Sequence, residues 1–158
     1  MRAYADTSFL VKLLTGEEGT AEAVDLYRGL GRPPVFYLSL HSLEVANAIR
    51  QRAFHQRQTA PASERLDIKR RRDTALALLD KYIARRAFID SSVDMDKAIE
   101  TARSLSAKHT ERLGCRGFDL LHVALALELE CDTFLTADHI QGTLARAEGL
   151  DVTVSADQ

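Results

Sequence analysis

The chain has 158 residues, 46% of them hydrophobic and 28% charged, and a formal net charge of −2. That length is enough for one domain, residues 1–158, with a core of its own, and the charge excludes a globally basic nucleic-acid binder. Cys115 and Cys131 fit no zinc or redox spacing, the N-terminus shows no basic-then-apolar leader and no apolar run approaches membrane-spanning length, so the expectation is a cytoplasmic protein with no membrane segment.

The first element begins almost at once. Arg2, Ala3, Tyr4 and Ala5 read as a short strand closed by Asp6, with Thr7 or Ser8 placed to cap the apolar helix behind it. In an open α/β sheet, ligands bind outside the carboxyl ends of the strands, so Asp6 points into a candidate site. Gly16 breaks that helix. Thr20 is placed to cap a second one, with Ala23, Leu26, Tyr27 and Leu30 on its apolar face. Val35 to Leu38 reads as the next strand. Ser39 is placed to cap a long helix to about residue 57, which carries Glu44 and an apolar stripe of Leu43, Ala46, Ile49 and Ala53.

After a loop at 58–63 a further helix is expected from about 64 to 85, with Ala75, Leu78, Leu79 and Ile83 facing inward. The two helices form a basic hairpin. From Arg50 to Arg86 there are eleven Lys and Arg against four acids, a surplus of seven positive charges that leaves the rest of the chain at nine negative. Such asymmetry creates a local attractive field for phosphates. The run Lys69, Arg70, Arg71, Arg72 is a candidate RNA or partner contact, and a solvated helix face explains it equally well.

Phe88 and Ile89 form a possible short strand. Asp94 is placed to cap a helix to about residue 108 with Ala98, Thr101, Ala102 and Leu105 on one side, and Asp94 and Asp96 read as capping acids outside any site. Gly114 and Gly117 mark a loop. From Leu120 to Leu127 only His122 is polar. A helix apolar nearly all round is buried, so Asp119 at its start needs a partner for its charge. His122 reads as a satisfied core histidine, and Arg112 and Arg116 are placed to meet phosphate or to balance the acids, with a loop-surface role explaining them equally well. Thr133 to Thr136 reads as a strand with Asp138 two residues past its end, followed by a helix at 140–148 and a strand at 152–154. Strands alternating with helices predict an α/β fold with a parallel sheet covered on both faces.

Asp6, Glu44, Asp119 and Asp138 thus stand at strand ends or helix starts, positions that converge on one crevice in a doubly wound sheet. Unit charges about 4 Å apart interact by roughly 4 kcal/mol at an effective dielectric near 20. Four gathered carboxylates therefore call for protonation or a bridging cation, and hard oxygen ligands suit Mg²⁺ or Mn²⁺.

The strand ending in Asp6-Thr7-Ser8, the helix start Ser39-Leu40-His41-Ser42-Leu43-Glu44, the stretch Arg116-Gly117-Phe118-Asp119-Leu120-Leu121-His122 and the stretch Phe134-Leu135-Thr136-Ala137-Asp138 resemble the PIN-domain nucleases, and among them the VapC-like toxins of toxin–antitoxin pairs. The resemblance implies a three-layer α/β/α sandwich and Mg²⁺- or Mn²⁺-dependent cleavage of RNA. It implies Asp6 and Asp119 as metal ligands and Glu44 as an acid that holds a metal or orients the nucleophile. Asp138 is the fourth acid, with Thr7 and Thr136 in support. It also implies a cognate antitoxin and a homodimer. The length of the basic hairpin, with its Pro61 loop, departs from the family pattern. Alternatives are a non-cleaving module of the same fold that binds RNA or a partner, and a DNA-directed nuclease. A haloacid-dehalogenase-like phosphatase needs a second Asp where Ser8 stands, and a receiver domain needs acids before the first strand's Asp and a Lys after a late strand, neither of which is evident.

Overall fold

The computed structural model describes residues 1–16 and 18–154. In chain order its elements are β1 (Ala3–Ala5), α1 (Thr7–Thr15), α2 (Thr20–Gly29), β2 (Val35–Tyr37), α3 (Ser39–Thr59), a 3₁₀ turn (Ala62–Glu64) and α4 (Arg65–Ala84). There follow β3 (Phe88–Asp90), α5 (Met95–Leu113), α6 (Gly117–Glu128), β4 (Thr133–Thr136), α7 (His139–Ala147) and β5 (Asp151–Val154). The five strands form one parallel sheet in the order β3-β2-β1-β4-β5.

Alternation along β1 divides the core. Ala3 and Ala5 face a layer built on Phe9, Leu10, Tyr27, Val45, Ile49, Ala75 and Leu79, from α1 to α4. Tyr4 faces the other way, onto Leu105, Val123, Leu125, Phe134 and Leu144, from β4 and α5 to α7. With helices on both faces the architecture is the expected α/β/α sandwich. From β1 the chain moves outward to β2 and β3, then returns to place β4 and β5 on the other side. The reversal falls between β1 and β4, and their carboxyl ends open the crevice that such a switch point creates.

Several local expectations are corrected. The N-cap of α1 is Asp6, whose carboxylate accepts from Phe9 N–H, so Thr7 begins the helix instead of capping it. Gly19 precedes α2, and the Thr20 hydroxyl turns back to donate to the Lys12 carbonyl. Leu38 precedes α3 and Ser39 is its first residue. Leu43 is 70% exposed, and the buried stripe of α3 is instead His41, Val45, Ile49 and Ala53, an i, i+4 ladder. Helix α5 runs to Leu113 before Gly114, at φ 70, ends it. Helix α6 is buried as its composition requires, including Asp119 and His122. No helix among the described residues is long and apolar enough to cross a membrane.

Candidate active site

Four acids reach the β1/β4 crevice from four elements. Asp6 follows β1, Glu44 lies in the second turn of α3, Asp119 is the third residue of α6, and Asp138 caps α7 beyond β4. Glu44, Asp119 and Asp138 line an open cleft of about 740 Å³, along with Thr7, Ser8, Lys12, Arg52 and Arg116. Asp6 is fully buried and reaches the cleft through Ser8, to which it is bonded.

Each carboxylate is satisfied differently. Asp6 Oδ1 accepts from Ser8 Oγ at 2.7 Å and Phe9 N at 2.9 Å, and Asp6 Oδ2 accepts from Thr136 Oγ1 at 2.7 Å. Burial nonetheless pushes its pKa up; the three donors oppose the rise without cancelling it. The Thr136 hydroxyl also accepts from Asp138 N at 2.8 Å, and Ser8 Oγ accepts from Ala137 N at 2.9 Å, so β1 and β4 are stitched together through the acid.

Glu44 accepts from Thr7 Oγ1 at 3.1 Å, and its Oε2 lies 2.9 Å from His122 Nε2. Behind His122, Nδ1 lies 2.8 Å from the Tyr4 hydroxyl. Tyr4 is fully buried and its pKa is raised well above the usual value, chiefly by burial, so the phenol stays protonated, and with the carboxylate of Glu44 accepting at Nε2 it is Nδ1 of the neutral ring that accepts from the phenol. His122 then presents Nε2–H to the acid. Burial pushes the Glu44 pKa up, but the bonds from His122 and Thr7 outweigh it and hold the group below its ordinary value. His41 packs against Tyr4, Tyr37 and His122. Its Nδ1 accepts from Leu38 N–H, its Nε2 donates to the Ala5 carbonyl, and burial lowers its pKa to about 3, so it is a neutral brace between β1 and α3.

Asp119 is 2% exposed and finds the partner its burial demands in Arg116. The backbone N–H and Nε of Arg116 donate to Oδ2 at 2.8 and 3.1 Å, and Nη2 donates to Oδ1 at 3.1 Å. Gln141 Nε2 adds a bond to Oδ1 at 3.2 Å. The same Arg116 Nη2 reaches Asp138 Oδ2 at 3.2 Å, while Asp138 Oδ1 caps α7 through Ile140 N and Gln141 N. One guanidinium, itself 74% exposed, therefore stands between two of the acids.

Among the described residues no three His, Cys, Asp or Glu side chains are drawn together as a ready cage for an ion. The donor chemistry does fit a hard divalent cation. All four acids offer carboxylate oxygen, and the buried Gln141 Oε1 beside Asp119 makes no hydrogen bond. A positive charge already bridges Asp119 and Asp138, in the form of Arg116.

Of the other residues singled out from sequence, Lys69 to Arg72 lie on α4, where Arg71 pairs with Asp67 and Arg72 with Asp73. Arg71 and Arg72 line a groove between α3 and α4 that shares Arg52 with the acidic cleft, so basic side chains run from the cleft onto the hairpin. Asp94 caps α5, away from the cleft. Sequence reasoning missed the Tyr4–His122–Glu44 relay, the Ser8 tie to Asp6 and the contact of Gln141 with Asp119. The one available signal was that a fully buried Tyr and a fully buried His both need polar partners.

A family model described as the PIN domain matches residues 3–147. Among solved structures the chain is similar to the PAE2754 protein of Pyrobaculum aerophilum, at 14% sequence identity and a TM-score of 0.56, over 96% of this chain and 89% of that one. At that identity the likeness speaks for the fold. A search of curated protein sequences finds no match.

Proposed function

The chain belongs to the PIN-domain family, a nuclease-type fold, and from that premise we propose that it is a divalent-metal-dependent endoribonuclease. The observation that carries the reading is the gathering of Glu44, Asp119 and Asp138 in one cleft, tied to the buried Asp6, at the switch point of the sheet.

Asp6 and Asp119 would hold the ion, with Glu44 and Asp138 beside them. Bound there, Mg²⁺ or Mn²⁺ supplies activation of water and offsets charge on the phosphoryl oxygens. The protein's own residues do the rest. His122 and Thr7 keep Glu44 ionised and fix its direction, ready to orient a water or take its proton. Lys12 and Arg52 line the cleft on the α1 and α3 side and offer phosphate contacts. Phe118 also lines it and is 57% exposed, a ring on which a base can stack. The groove carrying Arg71 and Arg72 extends the basic surface along which an RNA strand would lie.

The resemblance of these motifs to the VapC-like toxins further implies a toxin role with a cognate antitoxin and a homodimeric state. Exposed Leu43, Phe54 and Leu66 on the hairpin helices give a protein partner apolar ground. The test is incubation with RNA and with single-stranded DNA, with Mg²⁺, with Mn²⁺ and with EDTA. Cleavage of RNA that EDTA abolishes and added metal restores supports the proposal. Cleavage of DNA alone assigns the fold to a DNA-directed nuclease, and binding without cleavage assigns it to a non-cleaving module. Co-purification with the product of the adjacent reading frame tests the antitoxin.

A further inference from the structure

We propose that the chain carries a second ligand site, for a nucleoside 5′-phosphate, at the opposite end of the sheet from the acidic cleft. A pocket of about 390 Å³ lies between α2 and the last turns of α4, within the size range of small-molecule sites, roughly 300–1,000 Å³. It is closed by Arg32 and Ala87, on the segments that enter β2 and β3. It therefore sits at strand amino ends, while the acids stand at carboxyl ends. The inference does not rest on the nuclease reading.

The pocket joins two chemistries. Its floor is aromatic and fixed. The Tyr27 hydroxyl donates to the Pro33 carbonyl at 2.8 Å, and Tyr82 stacks on Phe88 with centroids 4.9 Å apart. Its rim is cationic, formed by the exposed side chains of Arg28, Arg32, Lys81 and Arg85. Among the described residues only Arg28 has a carboxylate partner, Asp25, at 3.4 Å. Cations at helix C-termini ordinarily serve the helix dipole, and α2 and α4 both end here. Each end carries only about half a negative charge, so two ends and Asp25 together leave the rim with roughly two positive charges in excess. That surplus suits a phosphate dianion. The floor suits a flat, apolar-faced ring.

Arg32 adds a separate observation. Its φ of 54 is left-handed, held by its N–H to the Tyr27 carbonyl at 2.9 Å. Gly31 fills the left-handed position of the α2 cap, and Arg32, one residue further on, is fixed by this bond where its side chain lines the pocket.

Calorimetry of the full chain in EDTA, with 5′-AMP, adenosine and inorganic phosphate as probes, tests the site. AMP is expected to bind at least about tenfold tighter than either fragment. Lys81→Glu with Arg85→Glu is expected to lower AMP affinity at least about tenfold, equivalent to about 1.4 kcal/mol. The same charge change at Arg57 and Arg65, outside the pocket, should leave it within about twofold. Arg32→Gly removes one cation and relieves the backbone at once, so a loss of AMP affinity there is not a loss of fold. AMP binding no tighter than phosphate would overturn the proposal, as would equal losses in the two charge-reversed variants or the absence of any AMP heat. A 5′-phosphorylated hexaribonucleotide in the same assay separates the sources. If the Lys81/Arg85 variant weakens it as well, the natural ligand is an RNA strand; if only AMP is weakened, it is a free nucleotide.

Discussion

Asp6→Asn separates the demands of the fold from those of the site. The carboxylate is fully buried, with donors from Phe9 N, Ser8 Oγ and Thr136 Oγ1. Each bond to an ionised acceptor contributes about 1.5–3 kcal/mol, against about 1 kcal/mol for a neutral one, while burying the ion costs several kcal/mol. The raised pKa, set first by burial, shows that the balance falls against the ion. Asparagine keeps one acceptor oxygen for Ser8 Oγ and Phe9 N but sets an N–H₂ donor against Thr136 Oγ1, which then donates toward the Asp138 carbonyl at 3.4 Å instead; with the desolvation of the ion removed, the net relief of the native state is on the order of 1 kcal/mol, or roughly 2–4 °C in Tm for a chain of this length. The sign follows from linkage. With the native pKa above the unfolded one, wild-type stability is full below the ordinary carboxylate range and falls as pH rises through the native value. The Asn variant lacks that fall, so the gap in Tm opens with rising pH and closes in acid. The assay is calorimetric melting in EDTA from about pH 4 to pH 8, beside RNA cleavage in Mn²⁺. The variant is expected to melt higher at pH 8 and to cut nothing. A variant that melts below wild type at pH 8 would refute the electrostatic reasoning, and one that still cuts would refute the role.

Arg116→Gln removes the cation between Asp119 and Asp138; because the side chain is largely exposed its contribution is screened, so the metal-free Tm is expected to fall by only a few degrees and the rise on adding Mn²⁺ to exceed that of wild type. His122→Phe strands the Tyr4 hydroxyl and frees Glu44, whose pKa is expected to rise, moving the acid limb of the pH–rate profile upward; an unmoved limb would show that His122 only fills space. Lys69→Glu with Arg70→Glu is expected to flatten the dependence of log affinity for single-stranded RNA on log salt by about 0.7 for each phosphate that is no longer neutralised, and an unchanged slope would assign the run to a solvated face. Glu148, on the far side of α7, is pushed up by burial but held below the ordinary carboxyl range by His109 at 2.6 Å and Lys108 at 3.1 Å. Glu148→Gln is therefore expected to lower Tm at neutral pH, with the loss closing as pH falls and the wild-type carboxylate protonates.

The alternation of short apolar runs with helical patterns is enough to read the layers, because each face of a covered sheet must be apolar. The positions of the four acids are legible for a related reason, since strand ends and helix starts are where an open sheet exposes its crevice. Local caps are less so. Asp6, Thr7 and Ser8 all cap helices well, and only the fold decides that Asp6 takes the role while Thr7 turns to Glu44 and Ser8 to Asp6. The stripe through Leu43 and Ala46 fails only in the first turns, since both it and the path through His41 and Val45 reach Ile49 and Ala53, and burial selects the regular i, i+4 path. His122 looks like core packing, and it is buried. What its sequence position cannot show is that Glu44, 78 residues earlier, arrives at its Nε2. Side-chain partners set by long-range packing leave no local signal.

Those partners decide how the cation of the proposed reaction would enter. Glu44 is held by groups locked in the core, since His122 and Tyr4 have nowhere else to point. Asp6 is held by two hydroxyls and a backbone N–H. Half of the Asp138 carboxylate is committed to the N-terminus of α7, where a negative charge is favoured by the helix dipole. Arg116 differs from all of these, being both charged and exposed. Were it simply absent, Asp119 and Asp138 would face each other uncompensated, a repulsion that the solvent at this exposed position screens without removing. With it present the two carboxylates are bridged by one guanidinium without any metal ion. On the proposed metal-dependent reading, a divalent cation would exchange for that positive charge on a framework already in place, and the guanidinium so displaced would be free to meet a substrate phosphate at the cleft mouth.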